Sequence, residues 1–262
     1  MGDIADEVLD RERLARDCGL RLLELSRVYD DLALPAEIPP EWAVVAALAA
    51  RQRRHLQAVI ALADDRLFLE AQIIVRTMFE FHVRLRWLFL DIELHQLLWI
   101  RDDVGYRLTI DREARQGGLE IMRPEVLEGT QRTRDEIDAR INEIAQNRGL
   151  DRVPPYGSLK QQAEAVGLEA EYTIAYRYDS QSAAHPSALA LDTLLERLPD
   201  GGLKVLSEPP IGAVINVYGP AAIYVHAALQ AAGEVVPELR LDGLDEVAGR
   251  LVGIGPVRPP SI

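Results

Sequence analysis

The sequence contains one cysteine and two lysines among its 262 residues, and each shortage excludes a class of structure. A single cysteine, Cys18, excludes an intramolecular disulfide and a cysteine-rich metal site, and it fits a reducing compartment. Because only Lys160 and Lys204 are lysines, the 29 basic residues are nearly all arginines. They are outnumbered by 42 acidic residues, and the formal net charge is −13. This charge argues against broad binding to nucleic acid or to an anionic membrane surface.

The motifs of common catalytic and metal centres are also missing from the sequence. No Glu-x-x-His or His-x-x-x-His pair occurs among the five histidines, which are His55, His82, His95, His185 and His226. The chain contains no Gly-x-Gly-x-x-Gly, no Walker phosphate loop and no Gly-x-Ser-x-Gly elbow. We therefore predict neither a bound metal nor a cofactor.

Helical periodicity dominates the chain, and alternating strand patterns are nearly absent, which predicts an all-α bundle in a single domain. The pattern places helices at 4–32, 41–63, 66–90, 92–116, 125–148, 159–166, 169–178, 211–232 and 239–251. The turn sequence Asp200-Gly201-Gly202 indicates one small β-hairpin near 200–208. We divide the chain into an acidic N-terminal helix with a linker (1–40), a helical bundle (41–232), and a short helix with a Pro/Gly-rich tail (233–262).

Residues 209–233 contain no Asp, Glu, Lys or Arg, and this stretch is long enough to cross a bilayer. Polar residues such as Asn216 and His226 and a high content of Ala and Gly make it a weak membrane span. We predict a buried core helix, with membrane association through 211–232 as an alternative. The charged N-terminus shows no signal peptide, so we expect a cytoplasmic protein. The apolar stripe of the first helix also predicts pairing with a second copy, as a homo-oligomer.

The central helices hold the relative excess of arginine. Residues 51–115 contain 11 basic and 10 acidic residues, whereas the rest of the chain is strongly acidic. Two interpretations are open: these arginines line a local pocket inside an acidic protein, or they pair with the acidic residues nearby.

One stripe of the third predicted helix carries the most informative polar residues. It repeats at alternating spacings of four and three and consists of Leu69, Ile73, Arg76, Glu80, Val83, Trp87 and Leu90. The spacing predicts a seam that faces a partner helix, with Arg76 and Glu80 side by side within it. Buried charges need partners, so these two residues either form a structural pair or line a polar cleft.

A second group of polar residues lies between Tyr172 and Ser187. Tyr172 and Tyr176 share a helix face, and Ser180 and Ser182 can donate or accept hydrogen bonds. His185 is set among small residues, where a ligand can approach it, and histidine can act as an acid, a base or a ligand near neutral pH. The alternative is a network of these side chains that satisfies itself inside the bundle.

Both groups of residues resemble a known family. The segment Glu70-Ala71 to Arg76-Thr-Met-Phe-Glu80 resembles the Ala…Arg-x-x-x-Glu helix of the bacterial DUF5677 family, whose function is unknown. The stretch from Tyr176 to His185-Pro-Ser resembles the second hallmark of that family, with Ser180 or Ser182 as its serine. The resemblance covers roughly residues 45–230. It implies a helical bundle related to the HEPN group, many of whose members are RNases or toxins of defence systems.

Three functions follow from these observations. The first is an interaction or sensor module in a bacterial stress or defence context, with an unknown protein partner. The second is a HEPN-like RNase or nucleotide-processing enzyme, in which His185 is the acid or base, Arg76 binds phosphate and Glu80 orients it. Tyr172, Tyr176, Ser180 and Ser182 would hold the ligand. The third is a membrane-associated protein.

Overall fold

The computed structural model of the protein describes residues 2–34, 38–178, 195–205 and 217–252, and most of these residues are helical. The helices are α1 (Gly2–Leu25), α2 (Pro40–Asp64), α3 (Phe68–Leu88), α4 (Ile92–Gln116), α5 (Pro124–Asn147), α6 (Leu159–Ala165), α7 (Glu169–Glu171), α8 (Tyr218–Val235) and α9 (Leu244–Val252). Short 3-10 helices cover Ser26–Asp31 and Pro237–Leu239, and a π-helix at Tyr172–Tyr178 continues α7. The predicted all-α class is confirmed.

Prolines and a capping carboxylate set several helix boundaries. Pro40 and Pro124 begin α2 and α5, where a missing N–H costs no helical hydrogen bond. Asp91 caps α4 by accepting the N–H of Leu94 at 3.3 Å. The prediction for α4 agrees at both ends, and those for α2, α3 and α5 differ by one or two residues. The first helix, predicted to reach residue 32, becomes a 3-10 helix after Leu25.

The helices gather into two compact units. One consists of residues 1–85 with 166–262, and the other of residues 86–165. The last three residues of α3 therefore belong to the second unit. The domain limits predicted at residues 40 and 232 stay predictions.

Helix α8 forms the centre of the first unit, where it packs against α1, α2 and α9. Alanines at positions 221, 222, 228 and 232 are completely buried, and their small side chains let the neighbouring helices approach closely. The charge-free stretch is thus a core helix where the structure describes it, as predicted. Among the described residues, no helix combines the length and the apolar character that crossing a membrane requires.

Helix α3 contacts α2 and α8 through one buried face. The side chain of Gln52 in α2 donates to the carbonyl of Met78 at 2.8 Å. On the α8 side, the ring of Phe79 lies 6.0 Å from that of Tyr224. These contacts orient α3, so its opposite flank carries the polar residues described below.

In the second unit, α5 runs back along α4. Arg140 of α5 bonds Glu93 near the start of α4 at 3.0 Å, and Asp138 lies 3.6 Å from Arg101, about two turns further along α4. The buried face of α5 consists of Ile137, Ile141, Ile144 and Ala145. The two helices therefore form an antiparallel pair whose outer surfaces are highly charged.

The predicted β-hairpin is also confirmed. Strands β1 (Leu195–Arg197) and β2 (Leu203–Val205) pair antiparallel, with Glu196 opposite Lys204. Gly201 has a φ of +86°, a conformation that glycine adopts without strain, and this closes the turn between the strands.

Candidate functional site

Arg76 and Glu80 lie on the flank of α3 rather than in the middle of its buried face. Their side chains are 19% and 22% exposed. The predicted seam is wrong at Ile73 and Leu90, which are 39% and 56% exposed. It is confirmed at Val83 and Trp87, which are buried. The face that packs in the core instead carries Ala71, Val75, Met78, Phe79 and His82. The spacing of four and three residues correctly placed Arg76 and Glu80 side by side. It assigned the buried apolar face to the wrong side of α3 in part.

The guanidinium of Arg76 contacts the π-helix that follows α7. Its Nη2 donates to the hydroxyl of Tyr176 at 2.8 Å, across 100 residues of sequence. Its Cζ lies 4.4 Å from the centre of the Tyr176 ring, which is a cation–π distance. The same Nη2 lies 3.3 Å from Oε1 of Glu80. The contact therefore joins α3 to the second predicted group of residues.

Two tyrosines stack on one side of this contact. The rings of Tyr172 and Tyr176 lie 5.1 Å apart and are inclined by 18°, so the predicted shared face is confirmed. Both side chains are half-buried. The arrangement is a column of two aromatic rings and one guanidinium. We call Arg76, Glu80, Tyr172 and Tyr176 the Arg76–Tyr176 cluster.

The sequence analysis missed Arg84, which is the next charged neighbour in α3. Its Nη2 lies 4.0 Å from Oε2 of Glu80, so Glu80 stands between two arginines. The signal was present in the sequence, because Arg76, Glu80 and Arg84 are spaced by four residues. The carboxylate is the centre of this group, and it can hold either guanidinium in place.

The described residues contain only part of the predicted site. Ser180, Ser182 and His185 lie outside them. His82 follows Arg76 by six residues, which is about 240° of helix rotation, and stacks on Tyr224 of α8 at 5.1 Å. Within the described ranges, no group of three His, Cys, Asp or Glu residues is placed to hold a metal ion.

A second charged group, which the sequence analysis did not find, joins α1, α2 and α8. Arg16 donates Nε and Nη2 to the two carboxylate oxygens of Asp64 at 2.8 and 2.6 Å, and Tyr218 donates its hydroxyl to Asp64 at 2.9 Å. Hydrogen bonding to Arg16 lowers the pKa of Asp64. Burial raises the pKa of the nearby Glu12 to about 7, although the backbone N–H of Tyr218 favours its charged form. No sequence periodicity links these residues, because tertiary packing alone brings them together.

Comparison with known proteins identifies one family. The model of a family of unknown function, DUF5677, matches residues 43–203, which include the Arg76 and Tyr176 segments. Neither the curated proteins nor the solved structures contain a match. The match covers more than half of the sequence, and this chain therefore belongs to the DUF5677 family.

Proposed function

We propose that the protein is a sensor or interaction module of a bacterial stress or defence system, and that its ligand binds at the Arg76–Tyr176 cluster. One observation carries the proposal: Nη2 of Arg76 and the hydroxyl of Tyr176 are 2.8 Å apart, although they belong to distant segments. The resemblance to HEPN-like proteins supports the stress or defence context.

The chemistry of the cluster suits a planar ligand with negative charge. Aromatic rings and guanidinium planes stack on nucleobases, and arginine binds phosphate through paired hydrogen bonds. The net charge of −13 disfavours a long nucleic acid, whose binding depends on a cationic surface. We therefore propose a mononucleotide as the ligand class.

Ligand binding would change the structure because the ligand and Glu80 compete for the guanidinium of Arg76. A phosphate group at Arg76 competes with the carboxylate of Glu80, which lies 3.3 Å away. Loss or rearrangement of the Tyr176 contact would then act on the π-helix at Tyr172–Tyr178. π-Helices are less favourable than α-helices and often occur at functional sites. The ligand thus changes the contacts of a segment that is poised to respond, as a sensor requires.

Isothermal titration of the full chain with AMP tests this proposal. We expect binding by the wild type, and a loss of at least about tenfold in affinity for Arg76→Gln and for Tyr176→Ala. Tyr176→Phe keeps the ring but not the hydroxyl, so it separates stacking from hydrogen bonding. Arg86→Gln removes the same charge from an exposed position of α3 and serves as the control. No binding by the wild type, or an equal loss in Arg86→Gln, contradicts the proposal.

The second candidate is a HEPN-like RNase or nucleotide-processing enzyme. The observation that favours it is the contact of Arg76 with Tyr176, since Tyr176 lies nine residues before His185 in the sequence. In this mechanism His185 transfers protons, Arg76 binds a phosphate, and Glu80 orients the guanidinium. Tyr176 and either Ser180 or Ser182 hold the substrate.

Incubation with a single-stranded RNA oligonucleotide separates the two candidates. An enzyme cleaves the RNA, and His185→Ala abolishes cleavage while AMP still binds with unchanged affinity. A sensor binds AMP and leaves the RNA intact in both the wild type and the variant. Gel electrophoresis measures cleavage, and the titration described above measures binding.

A further inference from the structure

The second unit contains a groove of about 710 Å³ between α4 and α5, separate from the Arg76–Tyr176 cluster. Three arginines line it, and we call it the arginine groove: Arg112 and Arg115 of α4, and Arg134 of α5. Leu108 and Leu127 add apolar surface to its walls. A cavity of this size is in the range of small-molecule sites. We infer that the arginine groove binds a small polyanion of the organic polyphosphate class.

One of the three arginines holds the end of the groove in place. Nε of Arg115 donates to Oδ2 of Asp111 at 2.6 Å, and its Nη2 donates to the carbonyl of Met122 at 2.6 Å. Asp111 is buried and also accepts the N–H of Met122 at 2.9 Å. This network ties α4 to the segment that leads into α5. Its charges compensate one another, so the groove is preorganised before a ligand arrives.

The other two arginines supply the charge that an anion would meet. Arg112 is exposed and forms no ion pair with any residue that the structure describes. Arg134 lies 3.4 Å from Asp138, a carboxylate that it shares with Arg101 at 3.6 Å. One carboxylate therefore serves two guanidinium groups, and the groove keeps an excess of positive charge. This excess stands out in a protein with a net charge of −13.

A glycine in the middle of α4 makes room for Arg134. A Cβ atom at Gly105 would lie 2.6 Å from Nη1 of Arg134, which is closer than real Cβ contacts. Glycine weakens the interior of a helix relative to alanine. Here the missing side chain lets the guanidinium rest against the backbone of α4 and line the groove.

The spacing of the charges indicates an extended ligand. Arg134 contacts α4 at Gly105. Arg112 lies seven residues further along the same face of α4, which corresponds to a rise of about 10 Å. A chain of phosphates can span a separation of this order and contact both guanidinium groups. Gln116 and Gln131 add neutral hydrogen-bonding groups along the groove. An organic polyphosphate offers both the charges and an apolar part for the two leucines.

Isothermal titration of the full chain with inorganic triphosphate tests the inference. We expect saturable binding, weakened at least about tenfold in Arg112→Gln, as for the loss of a charge-assisted hydrogen bond. Gly105→Ala is the sharper variant, because it displaces the Arg134 guanidinium and leaves every charge in place. It should weaken binding by a similar factor without lowering the temperature of unfolding, since alanine favours a helix.

Arg107→Gln is the matched control. Arg107 is an exposed arginine of α4 that pairs with Asp103 on the same helix and does not line the groove. Its loss should change the affinity less than about twofold, as expected when only a screened surface charge is removed. The inference is wrong if the wild type does not bind triphosphate. It is also wrong if Arg107→Gln weakens binding as much as Arg112→Gln does, because the attraction would then be non-specific.

Discussion

One arginine from each compact unit illustrates how different the surroundings of the same side chain can be. In the unit of residues 1–85 and 166–262, Arg53 is buried, with only 3% of its surface exposed. In the unit of residues 86–165, the side chain of Arg140 is 50% exposed. Both residues bond to acidic partners from other parts of the chain. From this comparison we expect burial, rather than the number of ion pairs, to decide how much stability is lost when one of these arginines is removed.

Arg53 holds the end of the first helix. It donates to the hydroxyl of Ser26 at 3.1 Å, to the carbonyl of Leu23 at 3.3 Å and to Asp30 at 2.9 Å. The carbonyl groups at the end of a helix lack partners within it, and this side chain in α2 supplies one. The buried, planar guanidinium thereby satisfies neutral acceptors and also an exposed carboxylate, that of Asp30.

Arg140 and Arg148 instead form surface pairs along the antiparallel helices. Arg148 bonds Glu93 at 2.8 Å and also contacts Asp91, and Arg140 bonds the other oxygen of Glu93 at 3.0 Å. Water and salt compete with each of these contacts. They fix the alignment of α5 on α4, whereas the buried isoleucines of α5 supply most of the stabilisation.

The largest effect is expected from Arg53→Ala. The change removes a buried guanidinium and leaves the buried hydroxyl of Ser26 without its donor, and we expect the free energy of unfolding to fall by about 3 kcal/mol. Urea denaturation measures the loss. Arg54→Ala removes an exposed arginine next to it and should cost less than about 0.5 kcal/mol. Equal losses in the two variants would contradict the role assigned to burial.

A smaller and pH-dependent effect is expected from Glu12→Gln. Because burial raises the pKa of Glu12 from 4.5 to about 7, folding favours the protonated acid. This contribution is fully present below pH 4.5 and is lost as the pH rises through 7. Glutamine stays neutral at every pH. The variant should therefore gain about 2 kcal/mol over the wild type between pH 5 and pH 8.

Urea denaturation at the two pH values measures this difference. Burial also lowers the pKa of His55, to about 4, but this term is the same in both proteins and cancels in the subtraction. Glu24→Gln changes an exposed residue of the same helix and should leave the pH dependence unaltered. A wild type and a Glu12→Gln variant with parallel pH profiles would rule out a titrating Glu12.

The smallest effect is expected from Arg140→Gln. Since the side chain is exposed and its pairs are screened, we expect Tm to change by less than about 2 °C. The change should vanish in about 1 M sodium chloride, where surface pairs are fully screened. Thermal unfolding at low and high salt measures both quantities. A shift as large as that of Arg53→Ala would show that the surface pairs contribute more than their exposure allows.

Local sequence signals predicted most of the fold. Proline and Gly-Gly boundaries set the limits of α4 and α5, and the Asp200-Gly201-Gly202 turn predicted the hairpin. The charge-free composition of α8 identified a core helix. The seam of α3 was only partly right, because a regular spacing cannot say which side of an almost wholly apolar helix meets its neighbours. The buried side of α3 is the one that meets the ring of Tyr224 and the side chain of Gln52, and both residues belong to other helices.

The candidate site was predictable in part. Arg76 and Glu80 could be identified because charged residues are rare in the apolar stripe of a helix. Tyr172 and Tyr176 could be identified because their spacing of four residues places them on one helix face. Their meeting across 100 residues depends on tertiary packing, which the sequence pattern does not encode. The same reason hid the bond of Arg16 to Asp64, which joins two helices that no motif relates.

The contacts of α1 with α8 and α9 have a consequence for synthesis of the protein on the ribosome. The first helix leaves the ribosome long before its partners have been translated, so the buried residues Cys18 and Leu22 are exposed meanwhile. Helices α4 and α5 pack against each other and are close in sequence, so they can pair as soon as residues 92–147 have emerged. We therefore expect the nascent chain to pair its middle helices first and to pack α1 last, once α8 and α9 have been made.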